Sequence, residues 1–173
     1  MSIWWSLHLR REAASVPLAR RLLLGTMETA GVDPDVSYDL SVALSEACAN
    51  AVEHGGGAAP DQASEAYRVT AYLDGETCRI EVADSGPGFP PGEPYEPSGA
   101  VATGAAAGAS TTREARVSRP SVPDTAEHGR GLRLIEELAD HVHFGNRAGG
   151  RSGAVVSFDK IVKWRPDAPL ALT

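Results

Sequence analysis

A glutamate, an asparagine and a histidine recur at every fourth position in Ser-Glu-Ala-Cys-Ala-Asn-Ala-Val-Glu-His, residues 45–54. At about 3.6 residues per turn, Glu46, Asn50 and His54 fall in one line along a helix. That line borders an apolar stripe of Leu40, Ala43, Leu44, Ala47 and Ala51, where a solvated polar face would normally lie opposite. Polar groups beside a buried stripe need partners. A carboxylate such as Glu46 can orient or deprotonate an incoming hydroxyl. A neutral amide oxygen such as that of Asn50 suits Mg²⁺, which keeps its waters and phosphate ligands. His54, at the helix end, reads as a cap before it reads as a catalytic group. Taken alone, the helix fits two satisfied, partly buried polar residues equally well.

Two glycine motifs extend the chemistry. Asp84-x-Gly86-x-Gly88 follows a run whose alternation puts Asp84 at the end of a buried face. A carboxylate only accepts hydrogen bonds. At the floor of an apolar pocket it would take one from the exocyclic amine of adenine and repel the carbonyl of guanine. Gly86 and Gly88 permit the close backbone approach a flat base requires; an ordinary turn after a strand is the plain alternative. Gly129-Arg130-Gly131 opens an apolar helix, whose first amides point at an anion, with Arg130 able to add a charge-assisted bond. A lone Gly-x-Gly is weak evidence for a phosphate cradle.

The remaining elements must position these groups. Residues 2–9, with Ile3, Trp4, Trp5, Leu7 and Leu9, suit a first strand at a sheet edge or an interface. Ser15 and Pro17 start a helix over 16–30, expected to turn Leu18, Leu22 and Met27 inward and Arg20 and Arg21 outward, stopping at Gly31. Asp33-Pro34 opens a longer helix over 36–54, ended by Gly55-Gly56-Gly57. Residues 67–73 and 77–83 alternate as strands around an Asp74-Gly75 hairpin turn. Residues 90–127, rich in Pro, Gly, Ala, Ser and Thr, suit a mobile lid or disorder. A helix from the Gly129 region to about residue 140 precedes a final antiparallel pair, 141–145 and 153–162. The order predicts an α+β two-layer sandwich, a mostly antiparallel sheet with helices on one face.

The chain as a whole sets bounds. Its 173 residues, 42% hydrophobic and 23% charged, suit one domain over 1–163, with 164–173 as a disordered tail. A formal net charge of −7 argues against a nucleic-acid binder working through a broad basic surface. No apolar run approaches the roughly 20 residues needed to span a bilayer, and no signal-peptide pattern opens the chain. Cys48 and Cys78 lack metal-ligand spacing and fit reduced thiols in a cytoplasmic protein.

Glu-x-x-x-Asn-Ala-x-x-His (46–54), Asp-x-Gly-x-Gly-Phe (84–89) and Gly-Arg-Gly-Leu-x-Leu-Ile (129–135) occur in this order around a candidate lid. Together they resemble the nucleotide-binding boxes of the gyrase, heat-shock chaperone and histidine-kinase ATPase superfamily. The short layout, with Ala19-Arg20 and Ser-Glu-Ala-x-x-Asn-Ala, is similar to that of anti-sigma factor serine/threonine kinases. The resemblance implies a Bergerat-type sandwich holding ATP and Mg²⁺ between sheet, helix and lid. It implies Glu46 as catalytic base, Asn50 as the Mg²⁺ residue and Asp84 as the adenine residue. Gly86, Gly88, His128, Gly129, Arg130, Gly131 and Leu132 would complete the nucleotide site. The implied partners are an anti-anti-sigma protein of the STAS type, phosphorylated on Ser or Thr, and a sigma factor, with Arg20 on the partner surface. The resemblance and the Trp4-Trp5 strand also suggest a homodimer. Two other functions stay open, an ATP-binding partner-switching regulator without kinase activity and a stand-alone histidine-kinase-type module. The chain departs from the pattern in its long lid and in Ser152-Gly153-Ala154, where the family tends to have Gly-Thr.

Overall fold

Asp33 starts the central helix of the fold. Its carboxylate accepts the backbone N–H of Asp35 at 2.9 Å, and Pro34 at the first helical position has the right φ and no N–H to leave unpaired. The helix so begun, α2 (Pro34–His54), ends where the Gly55 N–H returns to the Ala51 carbonyl at 2.9 Å. It buries Leu40, Ala43, Leu44, Ala47 and Ala51, the stripe expected from the sequence, together with Cys48. The computed structural model describes residues 1–56, 65–88, 127–148 and 152–169, with side chains from residue 130 onward in the third stretch. Residues 90–126 of the expected lid lie outside the described residues; Glu127 is the first residue of the third helix.

Helix α1 (Ser15–Ala30) precedes α2 and differs from expectation in the face it buries. Leu18 and Leu22 point outward, 54% and 38% exposed, whereas Ala19, Leu23, Met27 and Ala30 form the buried stripe. The spacing of that second set, steps of four, four and three, holds one helical face. The set Leu18, Leu22 and Met27 needs a step of five, which drifts off it. Gly31 ends α1 in the left-handed region, φ 86°, donating to the Met27 and Glu28 carbonyls.

Five strands, β1 (Ile3–Arg10), β2 (Ala66–Leu73), β3 (Thr77–Ala83), β4 (His141–Asn146) and β5 (Ala154–Ile161), form one antiparallel sheet in the order β1-β2-β3-β5-β4. Asp74 closes the β2–β3 hairpin by accepting the N–H groups of Glu76 and Thr77 at 2.8 and 2.7 Å. These bonds hold its carboxyl below the usual carboxylate range. Tyr67, Val69, Ile80, Val82, Val156 and Phe158 face a layer made by α1, α2 and α3 (Glu127–Leu138). The opposite face presents a row across all five strands, Trp4, Tyr72, Arg79, Asp159 and His141. This is the expected α+β sandwich, and β1 lies at the sheet edge as its sequence indicated. No helix among the described residues is long and apolar enough to cross a membrane.

The expectation of a disordered tail from residue 164 does not hold for residues 164–169. Trp164 bridges Val32, and its indole donates to the Gly75 carbonyl at 3.0 Å. Arg165 donates to the Gly31 and Glu28 carbonyls, both at 2.9 Å, and Ala168 is fully buried. Backbone polar groups left at the α1–α2 corner give this segment its partners, which its own composition did not disclose.

Cys48, Tyr67 and Ser15 join α2, β2 and the start of α1 through buried hydrogen bonds, Ser15 and Tyr67 at 2.6 Å. Burial pushes both cysteine thiols up to about 12. Native protein at pH 8 is therefore expected to leave both unreactive toward a thiol reagent, and both react once it is unfolded; rapid native labelling of either would contradict their burial. Because unfolded thiols ionise near pH 9 and the folded ones do not, stability should fall as pH rises from 9 toward 12. A Gly31→Ala variant places a methyl group 2.6 Å from Ala168 at a left-handed position. We expect it to lose roughly 1–3 kcal/mol in urea unfolding.

Candidate functional site

Glu46 and Asn50 lie one turn apart on α2, and the start of α3 is set directly against them. A Cβ on Gly131 would stand 2.7 Å from the Glu46 Oε2 and 3.9 Å from the Asn50 Oδ1, so only glycine admits this approach without displacing the carboxylate. The two helices enclose a cleft of about 310 Å³ whose lining includes Glu46, Asn50, Glu53, Arg130 and Gly131. Residues 127–130 form the first turn of α3, where backbone N–H groups have no intrahelical acceptor and favour an anion. Arg130 adds an exposed positive charge beside them.

Asp84 continues β3 and is 8% exposed. Its backbone N–H donates to the Ala154 carbonyl at 3.0 Å. Its Oδ1 accepts the N–H of Gly86 at 2.9 Å and that of Ala154 at 3.0 Å. Among the described residues both bonds fall on Oδ1, which leaves Oδ2 for an external donor. Gly55, just past α2, packs so closely that a Cβ there would lie 2.8 Å from the Asp84 Cβ; a Cβ on Gly86 would lie 2.6 Å from the Gly55 carbonyl carbon. Gly88 has φ 79°, and a Cβ there would lie 2.5 Å from the Asn146 Oδ1.

One helix therefore serves both ends. From Glu46 to Gly55 is nine residues, about 13 Å of helix axis, the scale of an extended nucleoside triphosphate. The structure brings Glu46, Asn50, Arg130 and Gly131 to one end and Asp84, Gly86 and Gly88 to the other. The Leu132 side chain is buried in the core. The side chain of His128 lies outside the described residues, and the backbone of His128 and Gly129 belongs to the first turn of α3. His54 sits 3.4 Å from Glu53 at the end of α2. Arg20 lines a different groove, of about 430 Å³, together with Leu24, Tyr38 and Arg165.

Three further groups support the site, of which only Ser152 drew notice in the sequence, as part of a departure from the family pattern. Arg147 donates to the Ser85 Oγ at 3.1 Å and reaches the Asp84 carbonyl at 3.5 Å. The Ser152 hydroxyl donates to the Gly86 carbonyl, so a hydroxyl does serve this turn, from the position before Gly153. Arg11 donates to the Val52 carbonyl at 2.9 Å, capping the last turn of α2.

The Histidine kinase-like ATPase domain family matches residues 9–160. The chain belongs to this family. Membership makes it an ATP-binding, kinase-like domain. Among solved structures it is similar to the RsbU and RsbW domains of Rv1364c from Mycobacterium tuberculosis, with 20% identity and a TM-score of 0.58. That match covers 94% of this chain and 33% of the other, so this chain spans about a third of its length, and the likeness shows the fold. A mycobacterial sensor histidine kinase, MprB, is 15% identical over 92% of this chain and 100% of that chain, with a TM-score of 0.44. No curated protein sequence matches the chain.

Gly153 is the tightest point of the site, with φ 139° and a virtual Cβ 2.0 Å from the Asp84 carbonyl oxygen. A Gly153→Ala variant should unfold with a loss of about 2 kcal/mol or more in urea. Unchanged stability would mean that the turn is not held as described.

Proposed function

We propose that the chain is an ATP-dependent protein serine/threonine kinase that acts on an anti-anti-sigma protein of the STAS type and sequesters a sigma factor. The observation that carries this reading is the convergence of the Glu46 carboxylate, the Asn50 amide and the glycine-opened start of α3 on one cleft. A carboxylate at the phosphate end is not needed to hold a nucleotide, but a base is needed there to take the proton of a protein hydroxyl.

The residues present fit Mg²⁺-ATP. The cradle that a Cβ on Gly131 would fill, the first-turn amides of α3 and Arg130 suit the phosphates. Asn50 offers the neutral oxygen that Mg²⁺ takes beside phosphate oxygens. Asp84 Oδ2 is an acceptor suited to the adenine amine. Bound ATP would supply the phosphoryl group, and the metal would offset its charge. Glu46 would hold the incoming serine or threonine hydroxyl and accept its proton as the oxygen bonds to the γ-phosphorus and the bond from that phosphorus to the departing ADP oxygen breaks. Arg130 and the α3 amides stabilise the charge on the transferred group. Arg20, in its separate groove on α1 and α2, is assigned in this reading to the contact with a protein partner. The edge strand β1, with Trp4 65% exposed, suits the contact of a homodimer.

The test is phosphate transfer from γ-labelled ATP to candidate anti-anti-sigma proteins in the presence of Mg²⁺. Acid-stable label should appear on the partner, and Glu46→Gln should lower its rate about 10²–10⁴-fold while ATP binding persists. Nucleotide binding with no transfer to any partner would leave a non-catalytic partner-switching regulator instead. Acid-labile label on a histidine would point to the histidine-kinase chemistry. Asp84→Asn, which presents a donor to the adenine amine, should weaken ATP at least about tenfold.

A further inference from the structure

We propose that Arg147 is a positioning residue for the nucleotide base, fixing the Asp84–Gly88 turn from the connection between β4 and β5. The inference rests on the base-site reading of Asp84 given above. Asp84 can present Oδ2 in one direction only while its Oδ1 stays on the Gly86 and Ala154 amides. Gly86 and Gly88 bring no side chain to the turn, so its side-chain hydrogen bonds among the described residues come from Asp84 and Ser85. The bracing comes from across the sheet. Arg147 reaches the Ser85 hydroxyl at 3.1 Å and the Asp84 carbonyl at 3.5 Å, and its own backbone N–H is fixed on the Gly153 carbonyl at 2.9 Å. The missing side chain of Gly153 makes room for its stem, since a Cβ there would lie 2.7 Å from the Arg147 Cδ. Ser152 holds the Gly86 carbonyl from the same connection.

Among the described residues the Arg147 guanidinium donates to the Ser85 hydroxyl and the Asp84 carbonyl, both at the Asp84 end of the site. Its loss should therefore weaken binding of the base and leave the phosphate end untouched. A residue that merely supported the fold would weaken both.

Titration calorimetry of the full chain with Mg²⁺-ATP and with Mg²⁺-tripolyphosphate, which has phosphates and no base, separates these cases. Arg147→Ala should raise the Kd for ATP about tenfold and leave that for tripolyphosphate unchanged. Arg147→Lys, with one donor able to reach Ser85, should recover part of the loss. Ser85→Ala should weaken ATP by a smaller factor and add nothing further in the Arg147→Ala background, because both remove one contact. Unchanged ATP affinity in Arg147→Ala, equal losses for both ligands, or full additivity with Ser85→Ala would each overturn the proposal. Wild-type protein that binds tripolyphosphate as tightly as ATP would overturn the base-site reading as well.

Discussion

The close backbone approach of Gly55, Gly86 and Asp84 is the constraint on which the site depends. It is where the C-terminal end of α2 meets the end of β3, and no side chain fits between them. Because α2 is a rigid rod, fixing its C-terminal end beside Asp84 also fixes Asn50 and Glu46, about one and a half and two and a half turns before Gly55. The distance from Glu46 to the Gly55–Asp84 contact is thus a property of helix geometry and not of loop conformation. Arg11 reinforces the joint by donating to the Val52 carbonyl, one of the acceptors the helix end leaves open.

Much of this architecture is legible in the sequence because it rests on local rules. Asp33-Pro34 marks a helix start through capping chemistry that needs no tertiary partner. The alternation of Tyr67 to Leu73 and of Cys78 to Val82 fixes which side of each strand is buried, and Asp74-Gly75 fixes their pairing. The misread face of α1 shows the limit of pattern reading. Two overlapping apolar stripes share Met27, and the one with more leucines is not the one with the truer helical spacing. Residues 164–169 show a second limit. Their order comes from carbonyls at the α1–α2 corner, a demand that arises only once the helices have packed.

The site divides along the same line. Glu46, Asn50 and Asp84 stand out in sequence because each is a polar group where periodicity calls for burial. Gly129 and Gly131 stand out because a helix start rarely needs two glycines. Arg147 and Ser152 have no such mark. An arginine and a serine after a strand are ordinary turn residues, and their contacts exist because β5 lies between β3 and β4 in the sheet. Sequence exposes the groups that break a local rule; it hides those that obey one and act across the fold.

The same distinction bears on how one helix can be both core and site. Ala47, Cys48 and Ala51 are buried against the sheet and α1, with Cys48 tied to Tyr67 and through it to Ser15. Glu46 and Asn50 flank that face on the side where α3 approaches. A small core residue next to each polar one keeps the helix close to the sheet. The polar side chains then emerge at the helix–helix seam and not beneath it. Seated deeper, the Glu46 carboxylate would lose water without gaining partners, a penalty of several kcal/mol for a charged group. Seated further out, it would leave Gly131 without a neighbour and the cleft without its wall. The glycine on α3 and the alanines on α2 are thus two halves of one solution, which holds a charged carboxylate at the rim of a packed core.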